Sequence, residues 1–487
     1  MKNRRLTGFV CLLLPFFALL EAQEETSCSR EKKFTMHVSE KSLPDWVKTT
    51  GAQTQPENKF CLSANAFGAT GDGTTLNTQT IQAAIDDCAE KGGGRIMFEP
   101  GIYLTGALYL KNNVEFHLGK DVVLKAVDRV EDFPDIPTRV AGIEMYWPSA
   151  IINVINRQNV AITGEGTIDG NGQYLWNNYW EMRRDYDKRG LRWIVDYDCK
   201  RVRSLLVSES SQVTVGNLTF LRAGFWTIQL LYSSYCTVSG VTIRNNTGGH
   251  GPSTDGIDVD SSNHILIENC DIDCNDDNIC LKAGRDADGL RVKRPTEYVF
   301  IRNCTARKGA GLMTCGSETS GDIRYIYCTE SQAIGTSAAL RIKSAATRGG
   351  TVEYIYLNNV RTDSVKYILN CDMNWNPSYS YSALPAEYAG KSLPDHWNVM
   401  LQKVEPEQGI PHFRNIYLSD IQSKNTDIFI HCAGMEQSII RNVEMKNLDI
   451  QAHTAGLIRY TDNFRIRNGK FQIEDESEIN GQNNTNF

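Results

Sequence analysis

The chain has 487 residues, of which 41% are hydrophobic and 22% charged, with a formal net charge of −7. That balance describes an ordinary globular protein and excludes a nucleic-acid binder, whose electrostatic footprint would be basic. Past the N-terminus no apolar run is long enough to span a bilayer.

Residues 1–22 read as a secretory signal. Lys2, Arg4 and Arg5 form the charged region, Gly8 to Leu20 the apolar run, and Ala22 a cleavage residue. A membrane anchor is the competing reading, disfavoured by the shortness of the run and by Pro15. Glu25 stands where a lipoprotein motif before Cys28 wants an aliphatic residue. The mature protein is therefore expected to be exported, to a periplasmic or extracellular space. Of the 14 cysteines, Cys11 leaves with the signal, so an odd number remains and at least one thiol lacks a partner within the chain. Many lie inside strand patterns ("IENC", "IRNC", "YIYC"), where Cys is more often a small buried hydrophobe than half of a bridge.

Residues 23–58 read as a loose lead-in. "TIQAAIDDCAEKGGG", from Thr80 to Gly94, is the one clear amphipathic helix, ended by glycines. It suits the role of a cap over the open end of a solenoid. From Val213 onward short β-branched runs recur: "VTVGNLTF", "CTVSGVTI", "HILIENCDI", "YVFIRNCTA", "DIRYIYCTE" and "TVEYIYLNN". They start roughly 23 to 34 residues apart and end in Asn, Asp, Cys or Gly, without hairpin dipeptides between them. This rhythm predicts an all-β fold, a single-stranded right-handed parallel β-helix over residues 59–474 with an N-terminal capping helix. Each coil carries about three strands and stacks on the last at about 4.8 Å. Ile265, Ile267, Ile279 and Leu281 are expected to point into the core, with Asn or Cys laddered at the turns. A β-sandwich would need antiparallel turn signals that are missing. Residues 475–487 read as a polar tail.

Two insertions break the rhythm, and loops of that length are usually functional. The first, about Gln173 to Arg203, holds Trp176, Trp180 and Trp193 among Arg183, Arg184, Lys188, Arg189 and Arg192. The second, about Asp372 to Pro411, holds Trp375, Tyr379, Tyr381 and Trp397. Aromatic platforms beside basic groups suit an anionic sugar; packing on the flank of the solenoid is the plainer alternative.

Between them lies "STDGIDVDSSNHILIENCDIDCNDDNICLKAG", from Ser253 to Gly284, with more carboxylates than strands tolerate. Asp276 follows Asp255 by 21 residues, close to one coil, so Asp255, Asp276 and Asp277 are expected at one surface point. Ala310, in "KGAGLMTCGSE", and then Arg341 and Lys343, in "LRIKS", fall one and two coils further on. Acids beside bases in one column suit hydrolysis of a glycosidic bond in an acidic polysaccharide, one crowded carboxyl keeping its proton as general acid. A calcium site and a solvated acidic face are the alternatives.

These motifs resemble glycoside hydrolase family 28, the polygalacturonase family of pectin-degrading enzymes. The resemblance runs from "FGATGDGTTLNTQTIQAAID" at Phe67 to the late repeats. The family's Asn-Thr-Asp is similar to Ser253-Thr254-Asp255 here, its paired aspartates to Asp276-Asp277, and its Arg-Ile-Lys to Arg341-Ile342-Lys343. The resemblance implies Asp276 as general acid, Asp255 and Asp277 as activators of water, and Arg341 and Lys343 as substrate-binding groups. It implies a pectic polysaccharide substrate, no cofactor, no metal, no nucleic-acid partner and no membrane span once the signal is removed. One departure stands out. The family's Gly-His-Gly is Gly309-Ala310-Gly311 here, while Gly249-His250-Gly251 occurs just before Ser253. His250 is either incidental or an imidazole near Asp255, and in the second case a substrate-binding residue. The loss at Ala310 makes an ordinary homogalacturonan hydrolase less expected and leaves room for galacturonate-rhamnose linkages. Insertions flanking the motif-bearing coils point to removal of single galacturonic acid units from chain ends. The remaining alternatives are an endo-acting rhamnogalacturonan hydrolase, a pectate lyase-like enzyme and a non-catalytic polysaccharide-binding solenoid.

Overall fold

The computed structural model describes residues 44–53 and 60–486. The expected signal at 1–22 and most of the lead-in at 23–58 lie outside them. The chain divides into two units, Met1–Thr49 and Thr50–Phe487. The described part of the first is a 3-10 turn, Asp45–Thr49, in which the Thr49 hydroxyl donates to the Trp46 carbonyl at 2.8 Å.

The second unit is a right-handed parallel β-helix. Each coil contributes three strands, as in Ile257–Asp260, Asn263–Glu268 and Asp271–Asp273, and each strand pairs in parallel with its counterpart one coil on. The right-handed course is the one that twisted strands favour in parallel connections. Alternation along the strands sends Ile257, Val259, Ile265, Ile267, Ile279 and Leu281 into the core, where all are fully buried. Burying each such side chain contributes about 1.5–3 kcal/mol. A slip of one residue would send the row to the outer face, so the hydrophobic pattern sets the register.

The expected capping helix spans Thr78–Glu90 and buries Ile81, Ala84, Ile85 and Cys88 against the first coils. It stops before Gly92 and Gly93, both at positive φ. Ladders form at the turns. One backbone slot with positive φ holds Asn113 and Asn159 in early coils and Asn415, Asn442 and Asn463 in late ones, with side-chain amides bonded coil to coil. In the middle coils that slot holds Tyr235, His264, Tyr298, Tyr325 and Tyr354, their rings stacked 4.6–5.2 Å apart. Cys371 sits in register with Cys432, and both thiols are free and buried.

Two expectations need correction. Part of the segment read as a polar tail joins the solenoid: Asn480–Gln482 pairs with Leu457–Arg459 and adds a strand. The first insertion is no loop but a helix, Gln173–Lys188, followed by a turn, Val195–Asp198. Arg183 with Asp187, and Asp185 with Arg189, are ion pairs four residues apart that support it. The described residues also include an antiparallel hairpin, Asp135–Val140 with Ile143–Pro148, turning at Ala141-Gly142 where φ is positive at both residues.

Candidate active site

The motif residues gather on one sheet, at the turns that lead into Ile257–Asp260, Ile279–Lys282 and Met313–Cys315 and on the strand Ala338–Lys343. Their register differs from the expected one. Ile257 pairs with Ile279, a step of 22 residues, so Asp255 stacks on Asp277 rather than on Asp276. Asp276 lies beside Ala310, whose N–H donates to the Asp276 carbonyl at 2.8 Å. Arg341 pairs with Thr314, so it stands further along the sheet, in line with Cys280 and Asp258. The acids and bases share a face but occupy neighbouring columns. Two glycines make the turns possible. A Cβ on Gly256 would lie 2.4 Å from the Asn278 carbonyl, and one on Gly309, at φ +75, 2.4 Å from the Asp276 carbonyl.

Three cations surround the three acids unequally. Asp277 is buried and accepts bonds from Thr314 Oγ1 at 2.8 Å, Lys343 Nζ at 2.8 Å and Arg341 Nη1 at 3.3 Å. Burial pushes its carboxyl up, but Lys343 and Arg341 outweigh that and hold it well below the usual carboxylate range. Asp276 is half-buried, and its Oδ1 accepts the Asp277 N–H at 3.0 Å. Burial first, then the negative charge of Asp277, raises its pKa. Asp255 is buried with Lys282 Nζ 3.4 Å away; burial and the charge of Asp276 push it up to about 8. Asp276 is not a partner in any of these ion pairs: the bases go to Asp255 and Asp277.

One oxygen from each of Asp255, Asp276 and Asp277 lies within 4.8 Å of the others. Two acceptors each about 2.8 Å from one water, at a tetrahedral angle, lie roughly 4.6 Å apart. The trio is spaced to share a single water.

A stability prediction follows from Asp255. Burial and mutual repulsion let Asp255 and Asp276 together retain a shared proton in the native state that the unfolded carboxyls, near 3.8, release. Above that value the native state binds more protons, so the fold loses stability as pH rises, by up to about 1.4 kcal/mol per pH unit for one such group. Thermal unfolding should show a lower midpoint at pH 8 than at pH 5, and Asp255→Asn should flatten that slope. An equally steep slope in the variant would assign the effect elsewhere.

The trio opens into a cavity of about 320 Å³ whose walls include residues of both insertions: Arg192 and Asp196 from the first, Trp375, Asn376 and Tyr379 from the second. Lys343 lies 4.5 Å and Arg341 5.4 Å from the Trp375 ring, and Arg192 lies 4.8 Å from the Tyr379 ring. Other insertion residues serve packing. Trp176 bonds the Ala223 carbonyl, Trp193 packs on Trp397 at 5.5 Å, and Arg189 pairs with Asp185 and Tyr388. His250 is not among the lining residues. It is exposed and stacked on Trp180 at 5.4 Å, while Ala310 does line the cavity. Lys282, Glu318 and Trp226 also line it and were not foreseen, although Glu318 ends the quoted stretch after Ala310. A larger cavity of about 920 Å³ lies among Tyr146, Tyr186, Tyr232 and His396, and none of the motif residues reaches it.

The profile of glycosyl hydrolases family 28 matches residues 138–386. The chain is 30% identical over 313 residues to a probable polygalacturonase of Vitis vinifera, covering 62% of this chain and 60% of that protein. It is 27% identical over 374 residues to an exo-poly-alpha-D-galacturonosidase of Dickeya chrysanthemi, covering 67% and 60%. It is 26% identical over 327 residues to an endo-polygalacturonase of Pectobacterium parmentieri, covering 66% and 76%. The chain thus spans about 60% of the length of the first two. Among solved structures, an exopolygalacturonase from Thermotoga maritima aligns with a TM-score of 0.67 at 23% identity, over 92% of this chain and 95% of that one. A family 28 exopolygalacturonase of Yersinia enterocolitica aligns with a TM-score of 0.68 at 20% identity, over 88% and 78%. At those identities the structures speak for the fold. The profile match covers 386 − 138 + 1 = 249 of 487 residues, just over half, and takes in every coil that carries the acidic trio and its bases; the chain belongs to glycoside hydrolase family 28.

Proposed function

We propose that the protein is an inverting glycoside hydrolase that cleaves galacturonic acid from pectic polysaccharide, working from chain ends. The observation that carries this reading is the acidic trio spaced for one water, with Asp277 held ionised and the proton-binding acids Asp255 and Asp276 beside it. Interacting acids titrate as a set. With one proton on Asp276, that residue protonates the leaving oxygen, while Asp255 and Asp277 take a proton from the attacking water. The trio is tighter than the roughly 6.5–9.5 Å usual between acid and base in inverting enzymes and nearer the roughly 5–5.5 Å of retaining ones, so the anomer released first decides between the two outcomes. Arg341 is suited to hold the substrate carboxylate, because its guanidinium carries donors beyond the one given to Asp277.

Action from chain ends is supported by the size and walls of the cavity. At about 320 Å³ it is at the small end for ligand sites, and residues from both insertions close around it where an open groove would let a polymer pass. The signal-like residues 1–22 support export, and among the described residues no helix is long and apolar enough to cross a membrane.

The test is a time course on long galacturonan and rhamnogalacturonan chains, with products identified by mass and anomeric NMR. The expected result is free galacturonic acid from the first minutes, viscosity falling slowly, and the β-anomer appearing first from α-linked substrate. A rapid viscosity drop with mid-length oligomers would mean internal cleavage. Unsaturated products would mean a lyase, and binding without turnover a non-catalytic solenoid.

A further inference from the structure

Behind the acidic trio lies a buried charge that the reaction outlined above does not use. Along Ile279–Lys282 the residues Ile279 and Leu281 enter the core, so Cys280 and Lys282 face the site side of the sheet. Lys282 keeps only 5% of its side chain exposed. Its Nζ lies 3.4 Å from Asp255 Oδ2, 3.4 Å from Glu318 Oε2 and 3.7 Å from Asp258 Oδ1, and 4.8 Å from the Trp226 ring. A compact ammonium has therefore been taken out of water into a ring of three carboxyls. Such a lysine is costly unless its charge is matched.

The three carboxyls are not equivalent. Glu318 accepts from Ser317 Oγ at 3.0 Å and faces the Tyr379 hydroxyl at 3.5 Å, and so links the site to the second insertion. Asp258 has no hydrogen bond on either oxygen and is fully buried. A buried carboxyl without donors stays neutral, which leaves Lys282 to Glu318 and Asp255. We propose that Lys282 is the positioning residue that keeps the shared proton on Asp276 and off Asp255, with Asp258 beneath it as a neutral acid. This inference rests on the assignment of Asp276 as acid and Asp255 as base.

The groups that face Asp255 are few. They are Asp276 and Asp277 at the turn before Ile279–Lys282, Cys274 at the start of that turn, Cys280 and Lys282 on the strand itself, Lys343 on Ala338–Lys343, and Asp258 on the strand that Asp255 leads into; the two thiols are buried and stay neutral. Lys343 is 2.8 Å from Asp277 and serves that residue. Lys282 is the cation in ion-pair contact with Asp255. The negative charge of Asp277, and of Asp276 once it has given up its proton, drives a proton toward Asp255, and Lys282 opposes it. An opposite charge at this range shifts a carboxyl by about one to three pH units.

The experiment compares wild type with Lys282→Met, Lys282→Arg and Glu318→Gln. Carboxyl-carbon NMR without substrate follows the Asp255 titration, its resonance assigned by its loss in Asp255→Asn. In Lys282→Met the Asp255 midpoint should rise by about one unit or more, and the acidic limb of kcat/KM should move up with it. kcat at pH 6 should fall at least tenfold, while KM changes little. Lys282→Arg, which keeps the charge, should retain the wild-type midpoint even if packing lowers turnover. Glu318→Gln frees Lys282 from its competitor and should lower the midpoint, which provides a reading if Lys282→Met does not fold. An unchanged Asp255 midpoint in both Lys282→Met and Glu318→Gln would overturn the proposal and leave Lys282 a structural ion-pair partner. If the wild type cleaves no galacturonan, the functional assignment fails while the carboxyl titrations still decide the role of Lys282.

Discussion

Asp276→Asn is expected to lower kcat by about 10²–10⁴-fold on an unactivated pectic oligosaccharide, with the fold and thermal midpoint retained. The side chain is half-buried and no ion pair to Asp276 is found among the described residues, so an amide of the same shape costs little structurally. On the proposed assignment, what disappears is the proton delivered to the leaving oxygen. KM should change by no more than a few-fold, because the amide still occupies the same wall of the cavity. Asp255→Asn and Asp277→Asn should also be severely impaired, each by loss of a base. Steady-state kinetics with a circular-dichroism melt checks the set. Wild-type turnover by folded Asp276→Asn would remove that residue from the mechanism.

Lys343→Met carries the largest expected cost in stability. Lys343 has 6% of its side chain exposed and lies 2.8 Å from Asp277, which is buried. Removing one partner of a buried pair leaves an uncompensated charge and usually costs about 3–5 kcal/mol. Arg341 and Thr314 remain on the other oxygen at 3.3 and 2.8 Å, so about 3 kcal/mol is the expectation here. Denaturant unfolding should report that loss, and the double variant Lys343→Met, Asp277→Asn should recover much of it. Activity should fall as well, because an Asp277 relieved of Lys343 becomes easier to protonate and a weaker base. An unchanged unfolding midpoint would show that the pair contributes little.

The two experiments separate roles that proximity alone would merge. Asp276 and Asp277 are neighbours in sequence and both line the cavity, yet Asp277 is the one tied to two bases.

The β-branched rhythm, the capping helix and most of the charged residues that gather at the candidate site were legible without coordinates. Side-chain direction along a strand has a period of two, so a stretch that turns Ile265 and Ile267 into the core turns Leu266 to the opposite face. Repetition of that pattern once per coil leaves a parallel solenoid as the simplest arrangement. The motif residues were legible because adjacent aspartates in a strand-rich segment have no structural purpose of their own.

What only the tertiary structure decided was register and company. The step from coil to coil varies, 22 residues from Ile257 to Ile279 and 34 from Ile279 to Met313, because turns absorb insertions without disturbing the ladder. Counting along the chain therefore set Asp255 on Asp276 and Arg341 in their column, when pairing sets Asp255 on Asp277 and Arg341 on Thr314. The same holds for side chains that reach the site from far away. Arg192, Trp375 and Tyr379 line the cavity, while Trp193, Trp397 and His250 pack elsewhere, and nothing in their local sequence distinguishes the two groups. Lys282 could be placed on the outward face by parity alone. That its ammonium would be buried among Asp255, Asp258 and Glu318 depended on a neighbour 36 residues further along the chain, brought there by stacking. The chain's local pattern specifies which way each residue points. Which residues then meet is decided by the lengths of the turns, and those lengths act only once the coils are stacked.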